Sequence, residues 1–227
     1  MRETSLNIIA IGIFVLTMFS LLGPMFNVSP VIPAIATFSI LVLATIDVLG
    51  WQGQGGTIIV DLVEGTSSER RERIVRHEAG HFLVAYLLEI PISGYALSAW
   101  EAFRQGQSAQ GGVRFEDEKL AAQLNKGMIS EELLNKYFTV WMAGMAAEDF
   151  VYGNSQGGAE DRTKITAVLT QLKRPGQSKI KQSWASAQAR TLLENNHSAY
   201  EALVKAMTER ASVSDCYQVI QNTGSEE

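Results

Sequence analysis

Two long apolar runs near the amino terminus constrain the fold of this chain most strongly. The first covers residues 6–23 without a charge, and the second covers residues 31–51, where Asp47 is the only charged side chain. Each is close to the roughly 20 residues that a helix needs to cross a ~30 Å hydrocarbon core. Residues 24–30 form a short turn between them. The sequence therefore predicts a two-helix transmembrane hairpin.

A signal peptide followed by a buried core helix is the alternative interpretation of these runs. A cleavable signal has a basic start, a shorter apolar region and a small-residue cleavage site. Here Arg2 is balanced by Glu3, and no convincing cleavage site follows. These features favour the hairpin.

The distribution of basic residues predicts the orientation of this hairpin. The turn has no Lys or Arg, whereas a group of arginines follows the second run: Arg70, Arg71, Arg73 and Arg76. The positive-inside tendency then places the rest of the chain in the cytoplasm, or in the stroma of a plastid. A single cysteine, Cys216, excludes an internal disulfide and suits a reducing compartment.

The segment His-Glu-Ala-Gly-His predicts a metal site. His77 and His81 are four residues apart and would share one face of a helix, with Glu78 beside the bound ion as a base. A chance match on an amphipathic helix is the alternative. The flanks favour a real site, because they predict a continuous helix over residues 67–89 with capping-box spacing at its start and an apolar stretch after His81. The third histidine, His197, is interpreted as a surface or cap residue.

Beyond the hairpin, the sequence predicts a mainly helical domain with a small β element. The glycine-rich residues 50–56 predict a flexible exit from the bilayer, and the β-branched run 57–63 predicts a strand or an extended connector. Further strands are expected at 92–98 and 111–115. The polar segment 104–110 between them is either the border of a substrate groove or a plain surface loop.

Helical patterns dominate the remaining sequence. Ser130 is expected to cap a helix that ends at Gly153, and further helices are expected over residues 159–173, 179–194 and 198–211. Small residues in the first of these helices allow another helix to approach closely: Ala143, Gly144, Ala146 and Ala147.

A catalytic zinc site usually has three protein ligands and one open position. Because no histidine is available in a suitable place, the third ligand should be a carboxylate. Spacing alone leaves four candidates: Glu148, Asp149, Glu160 and Asp161.

Three segments resemble the FtsH-type membrane zinc proteases. Residues 75–85 are similar to the motif helix of that family, residues 142–153 to its Gly-Gly-Arg-Ala-Ala-Glu-Glu segment, and residues 157–164 to its Gly-Ala-x-Asn-Asp stretch. The order and the spacing of these three segments agree with those of the family. The resemblance implies that Asp161 is the third zinc ligand and that Glu148 supports a ligand imidazole. Glu160 departs from the family, which usually has Asn there.

The resemblance implies a zinc metalloendopeptidase in which His77, His81 and Asp161 bind Zn²⁺ and Glu78 is the general base. We divide the chain accordingly into a transmembrane hairpin and linker (1–56), a zinc peptidase domain (57–220) and a disordered tail (221–227). The family's AAA ATPase domain is missing, because no Gly-Lys-Ser/Thr phosphate loop occurs in the sequence. The expected substrates are therefore flexible or unfolded proteins. The alternative arrangement is a homo-oligomer, or a complex with a partner AAA protease that supplies the ATPase motor.

Other classes of function fit the sequence less well. An intramembrane protease would need its motif in the bilayer, but the apolar stretch between His81 and Pro91 is too short to span one. A non-proteolytic membrane scaffold or chaperone-like relative, which binds zinc or partners, would not need Glu78. Nucleic acid is not an expected partner, because 19 basic and 24 acidic residues give a net charge of -5.

Overall fold

The computed structural model describes residues 2–51, 53–64, 67–106 and 111–223. In these ranges the protein is mainly helical and contains a two-stranded sheet. The described elements, in chain order, are α1 (Arg2–Leu22), α2 (Val31–Gly50), α3 (Gln54–Glu64), α4 (Ser68–Leu87), β1 (Ile92–Ala96), α5 (Ala99–Arg104), β2 (Gly112–Phe115), α6 (Glu118–Asn125), α7 (Glu131–Tyr152), α8 (Ala159–Gln171), α9 (Ser178–Asn195), α10 (His197–Thr208) and α11 (Val213–Thr223). They form two compact units: one contains α1–α3 and α5, and the other contains α4, both strands and α6–α11.

The first unit contains the two apolar helices that the sequence predicts. A short 3-10 helix, Gly23–Phe26, follows α1, and α2 begins after the turn. Leu21, Phe38 and Leu49 are examples of the large apolar side chains that these helices leave exposed. Both helices are long and apolar enough to cross a membrane.

Asp47 has a local structural role near the end of α2. Its Oδ1 accepts a hydrogen bond from the amide of Gly55 at 2.7 Å, and its Oδ2 accepts one from the amide of Gly56 at 2.9 Å. Two of the otherwise unpaired amides at the start of α3 are thereby satisfied. The prediction of a strand or an extended connector over 57–63 is therefore wrong. The cap from Asp47 and helical packing outweigh the β preference of this run. Of the predicted flexible exit over 50–56, residues 54–56 belong to α3, and Gln52 lies outside the described ranges.

The connection between the strands also differs from the prediction. β1 ends at Ala96, and Ser98 then caps α5 by accepting a hydrogen bond from the amide of Glu101 at 3.1 Å. The predicted loop 104–110 begins with the last residue of this helix, and its residues 107–110 lie outside the described ranges.

The second unit is organised around α4 and α7. Gly80 of α4 lies so close to α7 that an added Cβ would be 2.7 Å from both the carbonyl oxygen of Ala143 and the Cβ of Ala147. α9 packs on α7, and α10 packs on both α4 and α11. The antiparallel sheet pairs Tyr95 with Val113 and contacts α4. The close helix approach predicted from small residues is therefore present between α4 and α7.

Most helix positions of the second unit agree with the predictions, and the differences lie mainly at their ends. α7 has the predicted caps: Ser130 Oγ accepts a hydrogen bond from the Leu133 amide at 3.2 Å, and Gly153 has a φ of 72°. α4 ends at Leu87, two residues before the predicted end, and Thr66 of the predicted capping box lies outside the described ranges. α6 and α11 were not predicted. α11 includes residues 221–223, so a tail that is disordered from residue 221 is wrong, and residues 224–227 lie outside the described ranges.

Candidate metal centre

His77 and His81 project from the same face of α4, one helical turn apart. Their Nε2 atoms are 3.1 Å from each other, and their rings meet edge to face with centroids 4.8 Å apart. His81 is buried, and His77 is partly buried. The four-residue spacing alone produces this shared face, as the sequence predicted.

Two acceptors fix the orientation of these imidazoles. His81 Nδ1 lies 2.7 Å from the carbonyl oxygen of Val140, and His77 Nδ1 lies 2.7 Å from Oε1 of Glu148. Because a carbonyl oxygen only accepts hydrogen bonds, His81 Nδ1 must donate, and the ionised Glu148 imposes the same role on His77. In the neutral rings, both Nε2 lone pairs therefore point towards the same space.

Asp161 brings a carboxylate from the first turn of α8 to this space. Its Oδ2 lies 3.6 Å from Nε2 of His81 and 3.7 Å from Nε2 of His77. Its other oxygen, Oδ1, accepts a hydrogen bond from Lys164 Nζ at 3.0 Å. The ligand atoms of His77, His81 and Asp161 all lie within 4.8 Å of one another, so this group could hold a metal ion.

The donor set and its spacing fit a zinc ion. Ligands that lie ~2.0–2.1 Å from a tetrahedral zinc are separated from each other by roughly 3.3 Å. The corresponding distances here are 3.1, 3.6 and 3.7 Å. Two imidazoles and a carboxylate that converge in a largely buried place favour a positive charge among them, which either a bound cation or a proton on His77 can supply.

Gly144 of α7 provides the space for the two imidazoles. A Cβ added at Gly144 would lie 2.3 Å from Nε2 of His77 and 2.5 Å from Nε2 of His81. The same Cβ would lie 2.4 Å from Cδ2 of His77, which is closer than an ion bound to Nε2 would lie, so the absence of a side chain at Gly144 is what allows both rings to lie against α7. The sequence suggested only close helix packing at Gly144, because nothing local reveals that this position faces the histidines.

Glu148 supports His77 from the side opposite the cluster. The buried carboxylate accepts hydrogen bonds from the amides of Gln156 and Gly157 and pairs with Arg73, whose Nη1 is 3.0 Å from Oε2. Burial opposes its charge, but the hydrogen bonds from His77, Gln156 and Arg73 outweigh burial and lower the pKa of Glu148 to about 2. Glu148 therefore stays ionised and binds the ring of His77 rather than joining the ligand cluster.

Arg73 is a supporting residue that the sequence analysis did not identify. It lies one turn before His77 on α4, and its guanidinium carbon is 4.1 Å from the centre of the Tyr152 ring. The same four-residue spacing that relates the two histidines relates Arg73 to His77, and this spacing was the available signal.

Glu78 lies between the two histidines in sequence and points towards the sheet. Its Oε2 accepts a hydrogen bond from the backbone amide of Val113 in β2 at 2.9 Å. A Cβ added at Gly112 would be 3.5 Å from the same oxygen. The carboxylate is thus held by the strand, and its negative charge helps to raise the pKa of His77.

The other residues considered from spacing lie outside the cluster. Asp149 forms an ion pair with Arg190, with both side chains about half exposed. Glu160 is exposed in the first turn of α8. His197 is exposed at the start of α10 and meets the ring of Phe150 edge to face.

Metal removal should make folding stability fall as the pH rises from 6.5 to about 10. Burial opposes a charge on His77, but Asp161 and Glu148 outweigh it and raise the pKa of His77 from 6.5 to about 10. The folded chain then binds more protons than the unfolded chain, so this stabilisation is complete below pH 6.5 and is lost towards pH 10. Denaturant unfolding of chelator-treated protein should show the loss in wild type and a smaller loss in His77→Ala. Equal losses of stability in wild type and in His77→Ala would contradict the assignment of this effect to His77.

No protein-family model matches this chain, and no curated protein is significantly similar to it.

Proposed function

We propose that this protein is a membrane-anchored zinc metalloendopeptidase of the FtsH type that cleaves flexible or unfolded proteins. One observation carries the proposal: the Nε2 atoms of His77 and His81 converge with Oδ2 of Asp161, and Glu78 lies on the same turn of α4. Two histidines and one carboxylate form a zinc set that leaves a coordination position open for catalysis.

The proposed metal is zinc because of the ligand types. Imidazole nitrogens with a single carboxylate suit zinc, whereas magnesium and calcium prefer sites made of oxygen ligands. A bound zinc ion would supply Lewis-acid polarisation of a peptide carbonyl and would acidify a water molecule. His77, His81 and Asp161 would hold it, and Glu148 and the Val140 carbonyl would keep both rings in the required tautomer.

Glu78 is the proposed general base. In this role it takes a proton from the attacking water and delivers it to the leaving amine of the cleaved peptide bond. The hydrogen bond from the Val113 amide restricts the orientation of its carboxylate.

The two apolar helices support membrane anchoring. We propose that α1 and α2 form a two-span anchor and that the peptidase domain lies on the cytoplasmic or stromal side, as the arginines after α2 predict. Because the sequence has no phosphate loop, the proposed activity does not need ATP. A partner AAA protease or a homo-oligomer would be required only if the isolated chain is inactive.

Glu78→Gln should separate metal binding from turnover. The amide oxygen of glutamine can still accept the Val113 hydrogen bond, but it cannot take up the proton, so we expect full zinc content and a rate loss of about 10²-fold or more. Zinc content and ATP-independent cleavage of unfolded casein would be measured on detergent-purified full-length protein. Asp149→Asn is the control, and it should match wild type in both measurements.

His77→Ala should lose both zinc and cleavage. Zinc bound by wild type without any casein cleavage would contradict ATP-independent proteolysis. Restoration of cleavage by a partner ATPase and ATP would then identify a required motor. Undiminished cleavage by Glu78→Gln would contradict the assigned base.

A further inference from the structure

The short helix α5 buries its small side chains and exposes its large aromatic ones, which is the opposite of the usual arrangement in a helix that faces water. Its alanines, Ala99 and Ala102, are buried, whereas Trp100 and Phe103 are 53% and 39% exposed. The two aromatic rings stack, with centroids 5.9 Å apart and an interplanar angle of 23°. We call Trp100 and Phe103 the α5 aromatic pair. A contiguous aromatic surface directed outwards indicates an interaction site rather than a core contribution.

The compact unit that contains α5 also contains both apolar helices. α5 contacts α3, and α3 in turn contacts α2. The two hydrogen bonds that Asp47 accepts from the amides of Gly55 and Gly56 fix the chain direction where α2 ends. The α5 aromatic pair is therefore part of the same compact unit as the helices that could cross a membrane.

Two other large apolar side chains of this unit are exposed near the end of α2 and in α3. Trp51, directly after α2, is 58% exposed, and Ile59 of α3 is 59% exposed. Tryptophan concentrates where hydrocarbon meets water, because its large apolar ring carries one polar N–H. The α5 aromatic pair has this chemistry, and the adjacent exposed Arg104 adds a positive charge that suits lipid phosphates.

We propose that the α5 aromatic pair, together with Arg104, binds the interfacial layer of the bilayer that holds α1 and α2. In the chain, α5 lies between β1 and β2, and β2 contains the Val113 amide that is bonded to Glu78. The proposal depends on the membrane anchor. It does not depend on peptidase activity, so the two can fail separately.

Depth-dependent fluorescence quenching tests this lipid contact in the full-length chain. The protein would be placed in phosphatidylcholine nanodiscs, with or without lipids brominated on the acyl chain near the headgroup. The emission of one tryptophan is obtained by subtracting the spectrum of its Trp→Phe variant from that of wild type. Trp184 is the matched control, because it is 40% exposed but belongs to the other compact unit. Trp51 is the reference for the end of α2.

The expected result is that Trp100 loses most of its emission in brominated nanodiscs and is protected from aqueous acrylamide, while Trp184 shows the reverse. Trp100 emission that is quenched by acrylamide and unaffected by bromine would overturn the proposal. Protection from acrylamide without bromine quenching would also overturn it, and would assign the surface to a protein, either a substrate or a second copy. Equal bromine quenching of Trp100 and Trp184 would also overturn the proposal, because the lipid contact would then not be specific to the α5 aromatic pair.

Release of the protein by alkaline carbonate would overturn the membrane anchor and the lipid contact together. The comparison of zinc content and casein cleavage with Glu78→Gln would still decide the proposed peptidase function in that case.

Discussion

Gly144→Ala should abolish metal binding while leaving the protein folded. The added methyl group would lie 2.3 and 2.5 Å from the Nε2 atoms of His77 and His81, so both imidazoles would have to leave the positions in which they face Asp161. Alanine is favoured over glycine within a helix by about 1 kcal/mol, so the backbone of α7 itself should tolerate the change. Zinc per chain should fall from near stoichiometric to near zero, and casein cleavage should be lost with it.

The control for this variant is Gly176→Ala. An added Cβ at Gly176 meets no atom within 4 Å, so this change should preserve zinc content and activity. Zinc content would be measured by mass spectrometry of the metal, and folding would be followed by circular dichroism and thermal unfolding. Stoichiometric zinc in folded Gly144→Ala would contradict the prediction, because it would show that metal binding does not need this arrangement of the two imidazoles.

Glu148→Ala should destabilise the protein and weaken its metal site. The change leaves Arg73 without its buried carboxylate and leaves the Gln156 and Gly157 amides without their acceptor. Removing one partner from a buried ion pair typically costs about 3–5 kcal/mol. The ring of His77 also loses the acceptor on Nδ1, and loss of such a partner usually lowers metal affinity by roughly 10–100-fold.

Glu148→Gln separates these two effects. The amide oxygen can accept some of the same hydrogen bonds, so a smaller loss of stability is expected, but the charge that holds Arg73 and His77 disappears. Denaturant unfolding and competition with a zinc chelator would measure the free energy of unfolding and the metal affinity.

Asp149→Asn is the matched control on the adjacent residue of α7. It breaks only the half-exposed pair with Arg190, and exposed pairs contribute about 0–1 kcal/mol. Similar losses of metal affinity in Asp149→Asn and Glu148→Gln would contradict the specific role of Glu148.

The features that the sequence predicted well depend on local periodicity. The apolar runs are continuous, so each predicts a helix long enough to span a bilayer. The caps of α7 lie within or directly beside the helix that they terminate, and a serine before an amphipathic run and a glycine after it are readable signals. The predictions failed where the local signals were weak, and α6 and α11 were missed. The β-branched residues of α3 predicted a strand or an extended connector, because the Asp47 cap lies eight positions before the amide of Gly55 that it binds.

The orientation of the two histidines was determined by the sequence, because residues four apart on a helix share a face wherever that helix packs. The identity of the carboxylate that joins them was not determined by spacing. Glu148 and Asp161 were both open on spacing alone, and their roles depend on which side of the His77 ring each one reaches. Only the packing of α7 against α4, and of α8 against α7, brings Asp161 to Nε2 and Glu148 to Nδ1 and places Gly144 against both rings. Contacts between residues more than sixty positions apart are set by tertiary packing, and local sequence patterns do not predict them.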